Sequence, residues 1–404
     1  MLKFSQISFF EDPLQKCLEL AAKDPHRPYL FVGASDDEVE AFIAAAAELQ
    51  FTQPAKGEVC NGITCSSKRA HMAHLLPDGR NVAITGGVFN FIDDAMLKAI
   101  WYNGYTLLSH ADSIYWSDPI RKYNPANIDE AIRRKQLIPV AQDTFLLSSA
   151  HRASYVLGMA GIDEITYNDR LLTKLTAGNR SAMCWTLQPQ IMNAFQSAHI
   201  FHCMPIASPL AAYLSVFGVQ SSVEECGGER NKNLASLLNI VQDEKYNEKG
   251  ADPSAYSTRW YEQKKTVDEV FKDMRNVLIH TQSGGERSSL LAYSMPKEVL
   301  SAIHSEKLRS VFRDRGFPAI PGSSCNVYST ASVLCYCTNT YFPSSCISYF
   351  RSNKVAFDQD AYALHHMLRW ISRSAVCNGE PVTVYVPSKR MRGLLENWME
   401  EQGV

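Results

Sequence analysis

Nowhere in the 404-residue chain does a Gly-Lys-Ser or Gly-Lys-Thr occur. That absence removes the loop that cradles nucleotide phosphates with backbone amides, brings a Lys to them and offers a hydroxyl to magnesium. No Gly-x-Ser-x-Gly elbow is present, so no hydrolase nucleophile stands out from the many serines. Cysteine is not scarce, at eleven residues, but no two form a Cys-x-x-Cys pair. The sets Cys325, Cys335, Cys337, Cys346 and Cys60, Cys65 therefore lack the knuckles of a tetrahedral zinc site, and no metal or other cofactor is expected. An odd count of cysteines reads as reduced thiols of a cytosol rather than a disulfide framework. Excess charge is missing too: the net charge of −2 excludes a globally basic nucleic-acid binder and leaves local patches only. No basic start, apolar run and small-residue cleavage site follow one another, so secretion is not expected. The apolar run 200–219 is broken by His202, Pro205 and Pro209; it reads as a buried strand followed by a helix, with no membrane partner.

With 46% hydrophobic residues, a chain of this length buries two cores of ordinary domain size. Residues 1–24 read as an N-terminal segment with a helix over 14–22. From Tyr29 to about Gln190, strand-like runs (30–32, 82–85, 106–108, 138–140, 144–147, 183–187) alternate with helical ones, the mark of a parallel sheet. A second alternating set begins at Ile200 and continues through the strand-like runs 277–281 and 382–386. Within it, residues 224–265 are polar and charged and read as an exposed insertion. The expected class is α/β, two parallel-sheet domains in tandem over 25–192 and 193–404.

The densest signal lies in residues 361–399. Ala361, Leu364, Leu368, Ile371 and Ala375 recur at helical spacing, with Arg369 and Arg373 on the opposite face. Asn378-Gly379-Glu380-Pro381 is turn chemistry, Val382 to Val386 a strand, and Pro387-Ser388 the start of a helix that opens on Lys389-Arg390-Met391-Arg392. A basic cluster at a strand-to-helix junction is where α/β proteins hold anions. Ser283 and Arg287, in Ser283-Gly284-Gly285-Glu286-Arg287-Ser288, form a second place for a nucleic-acid phosphate to meet backbone amides. The pairs His365-His366 and His71, His74 read as exposed or capping histidines, and Asp93-Asp94 and Asp358, Asp360 as helix starts.

These runs carry a resemblance. Asp358-Gln359-Asp360-Ala361-Tyr362-Ala363-Leu364, Arg369-Trp370-Ile371-Ser372-Arg373-Ser374-Ala375 and Tyr385-Val386-Pro387-Ser388-Lys389-Arg390-Met391-Arg392 resemble the C-terminal end of a DEAD/DEAH-box-like superfamily 2 helicase family common in phages and mobile elements. His199 to Met204, with Ser208, Tyr213 and Phe217, resembles its segment opening the second RecA-like domain. Residues 81–85 and 105–108 resemble strands around its second ATPase motif. The resemblance implies two RecA-like domains facing each other across a cleft, joined near 189–197, and a partner that is DNA, RNA or a replication or transcription protein, in the cytoplasm of a bacterial host.

The departures fall on the chemistry. The strand-to-helix junction Gly33-Ala34-Ser35-Asp36-Asp37-Glu38 reads as a Ser35–Glu38 capping box with three carboxylates at a helix start, repelling a triphosphate. The family's magnesium-holding Asp-Glu pair falls on His110-Ala111. Its Gln, Arg, Arg helix pattern is Arg369, Arg373, Cys377 here. No catalytic residue is therefore assigned. The resemblance with these losses implies a non-catalytic helicase-like protein using Lys389, Arg390, Arg392, Arg369, Arg373, Ser283 and Arg287 on nucleic acid; the alternative is an active nucleic-acid-dependent ATPase with substituted motifs.

Overall fold

A computed structural model describes residues 2–90, 92–110, 126–147, 171–177, 180–225, 233–243, 247–262, 264–281, 291–296, 299–300, 316–318 and 328–404. It divides into two compact units. The first holds Met1–Ile7, Asp12–Glu225 and Pro343–Phe357; the second holds Ser8–Glu11, Cys226–Phe342 and Asp358–Val404.

The first unit contains β1 (Leu2–Gln6), β2 (Tyr29–Gly33), a small hairpin of β3 (Val59–Cys60) and β4 (Ile63–Thr64), then β5 (Val82–Thr85) and β6 (Thr106–Ser109). These are followed by β7 (Leu137–Ala141), β8 (Thr144–Leu147), β9 (Leu171–Ala177), β10 (Arg180–Thr186), β11 (Ser197–His202) and β12 (Ser221–Glu225). Six of them form one sheet in the order β12-β1-β11-β6-β2-β5, every pair parallel. Covered on both faces, such strands read as unbroken apolar runs, and all five residues of β2 are buried. The chain leaves β1 and β2 towards one edge of the sheet and β6 and β11 towards the other. With right-handed crossovers the helices that follow lie on opposite faces, and the helices Pro13–Lys23 and Asp36–Ala45 after β1 and β2 do touch each other. At the carboxyl ends of β6 and β2, where the exits diverge, an α/β sheet receives its ligands.

The second unit has β13 (Leu238–Ile240), β14 (Leu291–Met295), β15 (Gly316–Pro318), β16 (Val333–Tyr336) and β17 (Val382–Tyr385), all parallel, in the order β13-β17-β16-β14-β15. Its core gathers Val270, Met274 and Val277 of the helix Lys264–Thr281 against Leu291, Tyr293, Val333 and Tyr385. The two parallel-sheet, RecA-like domains expected from the sequence are both present.

Several details differ from expectation. The join placed near 189–197 falls inside the first unit, because β11 is hydrogen-bonded to β1 on one side and β6 on the other, and β12 pairs with β1. The N-terminal segment does form its helix, Pro13–Lys23, but Leu2–Gln6 is an interior strand between β12 and β11. The runs at 138–140, 144–147 and 183–187 do not join the parallel sheet: β7 to β10 form a separate antiparallel meander. Residues 277–281 are helical, since Val270, Met274 and Val277 sit at helical spacing on the core and override the branched residues' strand preference. Part of the polar stretch 224–265 is also core. Leu234, Leu238, Ala255, Tyr256 and Tyr261 are buried there, spaced too widely for the average to reveal them. The run 200–219 behaves as expected, β11 followed by the helix Pro209–Val216. Among the described residues no helix is long and apolar enough to cross a membrane.

Candidate nucleic-acid interface

The helix Lys389–Glu401 forms because Ser388 caps it, its hydroxyl accepting the Met391 N–H at 3.5 Å, while Met391, Leu395 and Trp398 bury one face. Its three basic residues have different fates. Arg390 sends Nε and one Nη2 N–H to Asp360 Oδ1 at 3.0 and 2.6 Å, and the second Nη2 N–H to Gln359 O at 3.5 Å. Its Nη1 N–H groups reach Asn339 Oδ1 at 3.1 Å and Thr340 O at 2.9 Å. All five donors of the guanidinium are thereby engaged. Its carbon also lies 4.3 Å from the centroid of the Tyr341 ring. Arg390 is thus a strut joining the loop after β16 and the start of the helix Gln359–Ile371 to its own helix. Arg392 Nη1 donates to the carbonyls of Val386 at 2.9 Å and Pro387 at 3.3 Å, closing the end of β17. Lys389 alone of the three is exposed.

The junction itself is covered from the short helical turn Glu248–Ala251. A Cβ built on Gly250 would stand 1.6 Å from Pro387 O, so only glycine lets the two backbones approach this closely. Arg369 lies half-buried in the last turn of the helix Gln359–Ile371, where a cation suits the dipole. Arg373 comes after that helix has ended rather than sharing a face with Arg369; its N–H reaches Trp370 O. It lies near Tyr328, whose phenol burial pushes well up while the Arg373 charge opposes the push. Tyr328 donates to Trp370 O at 2.8 Å. Ser283 and Arg287 lie outside the described residues. Asp358 is a helix cap as expected, accepting the N–H groups of Asp360 and Ala361. Nothing in the sequence flagged Asn339, Thr340 or Tyr341, and Gly250 falls in the stretch 224–265 that reads as an exposed insertion.

In the first unit, the crevice at the ends of β2 and β6 is occupied by the protein's own side chains. Ser35 caps the helix Asp36–Ala45 through the Glu38 N–H at 3.3 Å. Glu38 Oε2 accepts the Ala34 N–H at 2.5 Å. The other oxygen, Oε1, stands 2.6 Å from His110 Nε2, a contact of ion-pair distance, off the line of a ring N–H hydrogen bond. Glu38 is only 2% exposed. Glu38 Oε2 would lie 3.2 Å from a Cβ on Gly33, so this glycine serves the packing of a carboxylate rather than of a phosphate. Asp36 binds Gln53 Nε2 at 3.0 Å and Lys68 Nζ at 3.3 Å. The helix after β1 opens in the same manner, Asp12 accepting the Leu14 N–H at 3.0 Å.

The histidines are bound into the packing. His71 Nδ1 accepts the Ala55 N–H at 3.0 Å, and His365 and His366 lie among the rings of Phe9 and Tyr362. Both pairs had been expected to be exposed or capping; His71 and His365 are buried. Asp93 is a helix cap, bonded to Ala95 and Met96 N–H and to Arg69 at 2.7 Å. Among the described residues no three His, Cys, Asp or Glu side chains are placed to share a metal ion.

Residues 232–399 match the family model of the YonV C-terminal Rossmann-like domain. Over 96% of its length the chain is similar to the SPbeta prophage-derived uncharacterized protein YonV of Bacillus subtilis (strain 168), 22% identical across 406 residues that span 95% of that protein. A solved structure titled XPD helicase superposes on 99% of this chain and 95% of its own with a TM-score of 0.50 at 11% identity. At that identity the likeness speaks for the fold alone, and the chain has a helicase-like α/β fold with a prophage-derived relative.

Proposed function

We propose that this is a non-catalytic, helicase-derived phage protein that binds nucleic acid, or a replication or transcription partner, in the bacterial cytoplasm. One observation carries the loss of catalysis. At the crevice where a doubly wound sheet would take phosphates, the buried Glu38 carboxylate already holds the Ala34 amide and faces His110. A triphosphate there would have to displace a buried anion and would meet the further carboxylates of Asp36 and Asp37. The reading of nucleic-acid binding rests on the helicase-like fold together with positive side chains of the second unit. Lys389, Arg369 and Arg373, with Ser283 and Arg287, which follow the helix Lys264–Thr281 in sequence, are assigned the phosphate contacts. Arg390 and Arg392 act as positioning residues that hold the helix bearing Lys389.

Two measurements on the full chain test this. Millimolar ATP with magnesium should leave the melting temperature unchanged, whereas a rise of several degrees means a nucleotide binds the native state. Hydrolysis of ATP stimulated by DNA or RNA would establish the alternative, an active ATPase. Binding to single-stranded or duplex nucleic acid should weaken steeply with salt and vary little with sequence. No binding at low salt would turn the proposal towards a protein partner.

A further inference from the structure

The hairpin β3–β4 places two cysteines together at the surface of the first unit. Asn61 and Gly62 form its turn with φ of 51° and 78°, the doubly left-handed geometry that suits the twist of two antiparallel strands. The register sets Val59 opposite Thr64 and Cys60 opposite Ile63. The bonds Cys65 N–H to Glu58 O at 2.7 Å and Gly57 N–H to Cys65 O at 2.8 Å carry the ladder on to Cys65. Because side chains alternate along a strand, Cys65, opposite Glu58, points to the same face as Cys60, one diagonal step away. Burial, and after it the neighbouring Cys60, pushes the Cys65 thiol up from its ordinary value. Cys65 is 2% exposed at the base, whereas Cys60 is half-buried on an arm whose neighbours Val59 and Ile63 are 65% and 62% exposed. Cys17, Cys184, Cys203, Cys335, Cys337 and Cys346 are all buried.

We propose that Cys60 and Cys65 are a redox-active pair that closes to a disulfide when the chain meets an oxidised low-molecular-weight thiol, RSSR, and reopens on reduction. Cys60, the sulfur in reach of solvent, attacks RSSR as its thiolate, forming Cys60–S–SR and expelling RS⁻. Cys65 then attacks Cys60 Sγ, the second RS⁻ leaves, and the protons given up by the two thiols end on the two RS⁻ groups. Two protein thiols are oxidised by two electrons and one RSSR is reduced to two RSH. In a reducing compartment such a bond is transient, as sensing disulfides are. The chemistry draws on no residue of the proposed nucleic-acid surface and stands or falls separately from it.

Trypsin releases residues 57–68 as a peptide holding Cys60, Cys65 and no other cysteine. The folded chain is incubated with oxidised glutathione, quenched in acid, alkylated and digested. The expected peptide is two hydrogens lighter and unalkylated, reverts with dithiothreitol, and forms faster than in a synthetic peptide of the same sequence, since the hairpin pre-positions the sulfurs. Cys65→Ser should stop the reaction at a Cys60–glutathione adduct, and Cys60→Ser should leave Cys65 alkylatable once the protein is unfolded. The proposal is overturned if 57–68 keeps two free thiols, or halts at the Cys60 adduct in the unsubstituted chain, while the exposed Cys377 in the same sample is modified. Closure no faster than in the synthetic peptide also overturns it.

Discussion

The helix starts at Ser35 and at Ser388 are built from the same parts and do opposite things with charge. Each follows a buried parallel strand and each is capped by a serine hydroxyl. After Ser35 come Asp36, Asp37 and Glu38, signs that suit the positive end of the helix dipole, and Glu38 folds back to take a backbone N–H. After Ser388 come Lys389, Arg390 and Arg392, signs that oppose the dipole. Two of those three are tolerated because carbonyl and carboxylate oxygens of neighbouring segments receive them. Charge counted along a sequence is therefore not charge available to a ligand. The basic junction advertises three cations and leaves Lys389 reaching solvent.

The comparison breaks first at Gly250. Gly250→Ala should cost about 3 kcal/mol, because the new methyl would meet the Pro387 carbonyl, a backbone atom that cannot swing aside. Chemical denaturation of the second unit measures it, and wild-type stability would mean that the junction is open. Next, Arg390→Ala should cost about 2 kcal/mol by leaving the carbonyl of Thr340 and the amide of Asn339 without their donor. Arg390→Lys should recover only a minor part, having no planar fork. If Arg390 instead met phosphate, its loss would weaken nucleic-acid binding with stability intact.

On the acidic side, Glu38→Ala should cost about 2 kcal/mol, stranding the Ala34 N–H and the half-buried His110. A stabilised variant that gained affinity for ATP would show that the carboxylate had been blocking a live site. Acid should also weaken the first unit through His199, whose imidazole is lowered to about 4 by burial and then by the nearby Lys3. The unfolded histidine takes a proton near 6.5 and the folded one only near 4, so stability falls as pH drops through that interval and levels off below it. His199→Gln should flatten that part of the profile in thermal melts. The smallest stability effect belongs to Lys389→Ala, within about 0.5 kcal/mol. In nucleic-acid titrations the same variant should lower the salt dependence by about one phosphate contact.

What was legible in the sequence is what neighbouring residues settle among themselves. Asp358 starts a helix, Asn378-Gly379 turns the chain with Gly379 at φ 79°, Val382 to Tyr385 is extended, and Ser388 caps the last helix. Each depends on side-chain to backbone bonds or on side-chain spacing within a few residues. The acidic helix start at Ser35 was legible for the same reason. The general class followed as well, since apolar strands alternating with helices bury themselves in parallel sheets.

Partners distant in sequence were decided only by the tertiary structure. Whether Ser197–His202 opens the second domain or sits between two strands of the first depends on strands 91 and 196 residues away in sequence. The same holds for the charges. The Arg390 guanidinium is taken up by oxygens 30 to 51 positions earlier, and Glu38 meets a histidine that follows a different strand. Local sequence sets conformation because capping and periodicity act over one or two turns. Availability of a charge is set by which other segments desolvate and bond it, and that is a property of the folded chain alone.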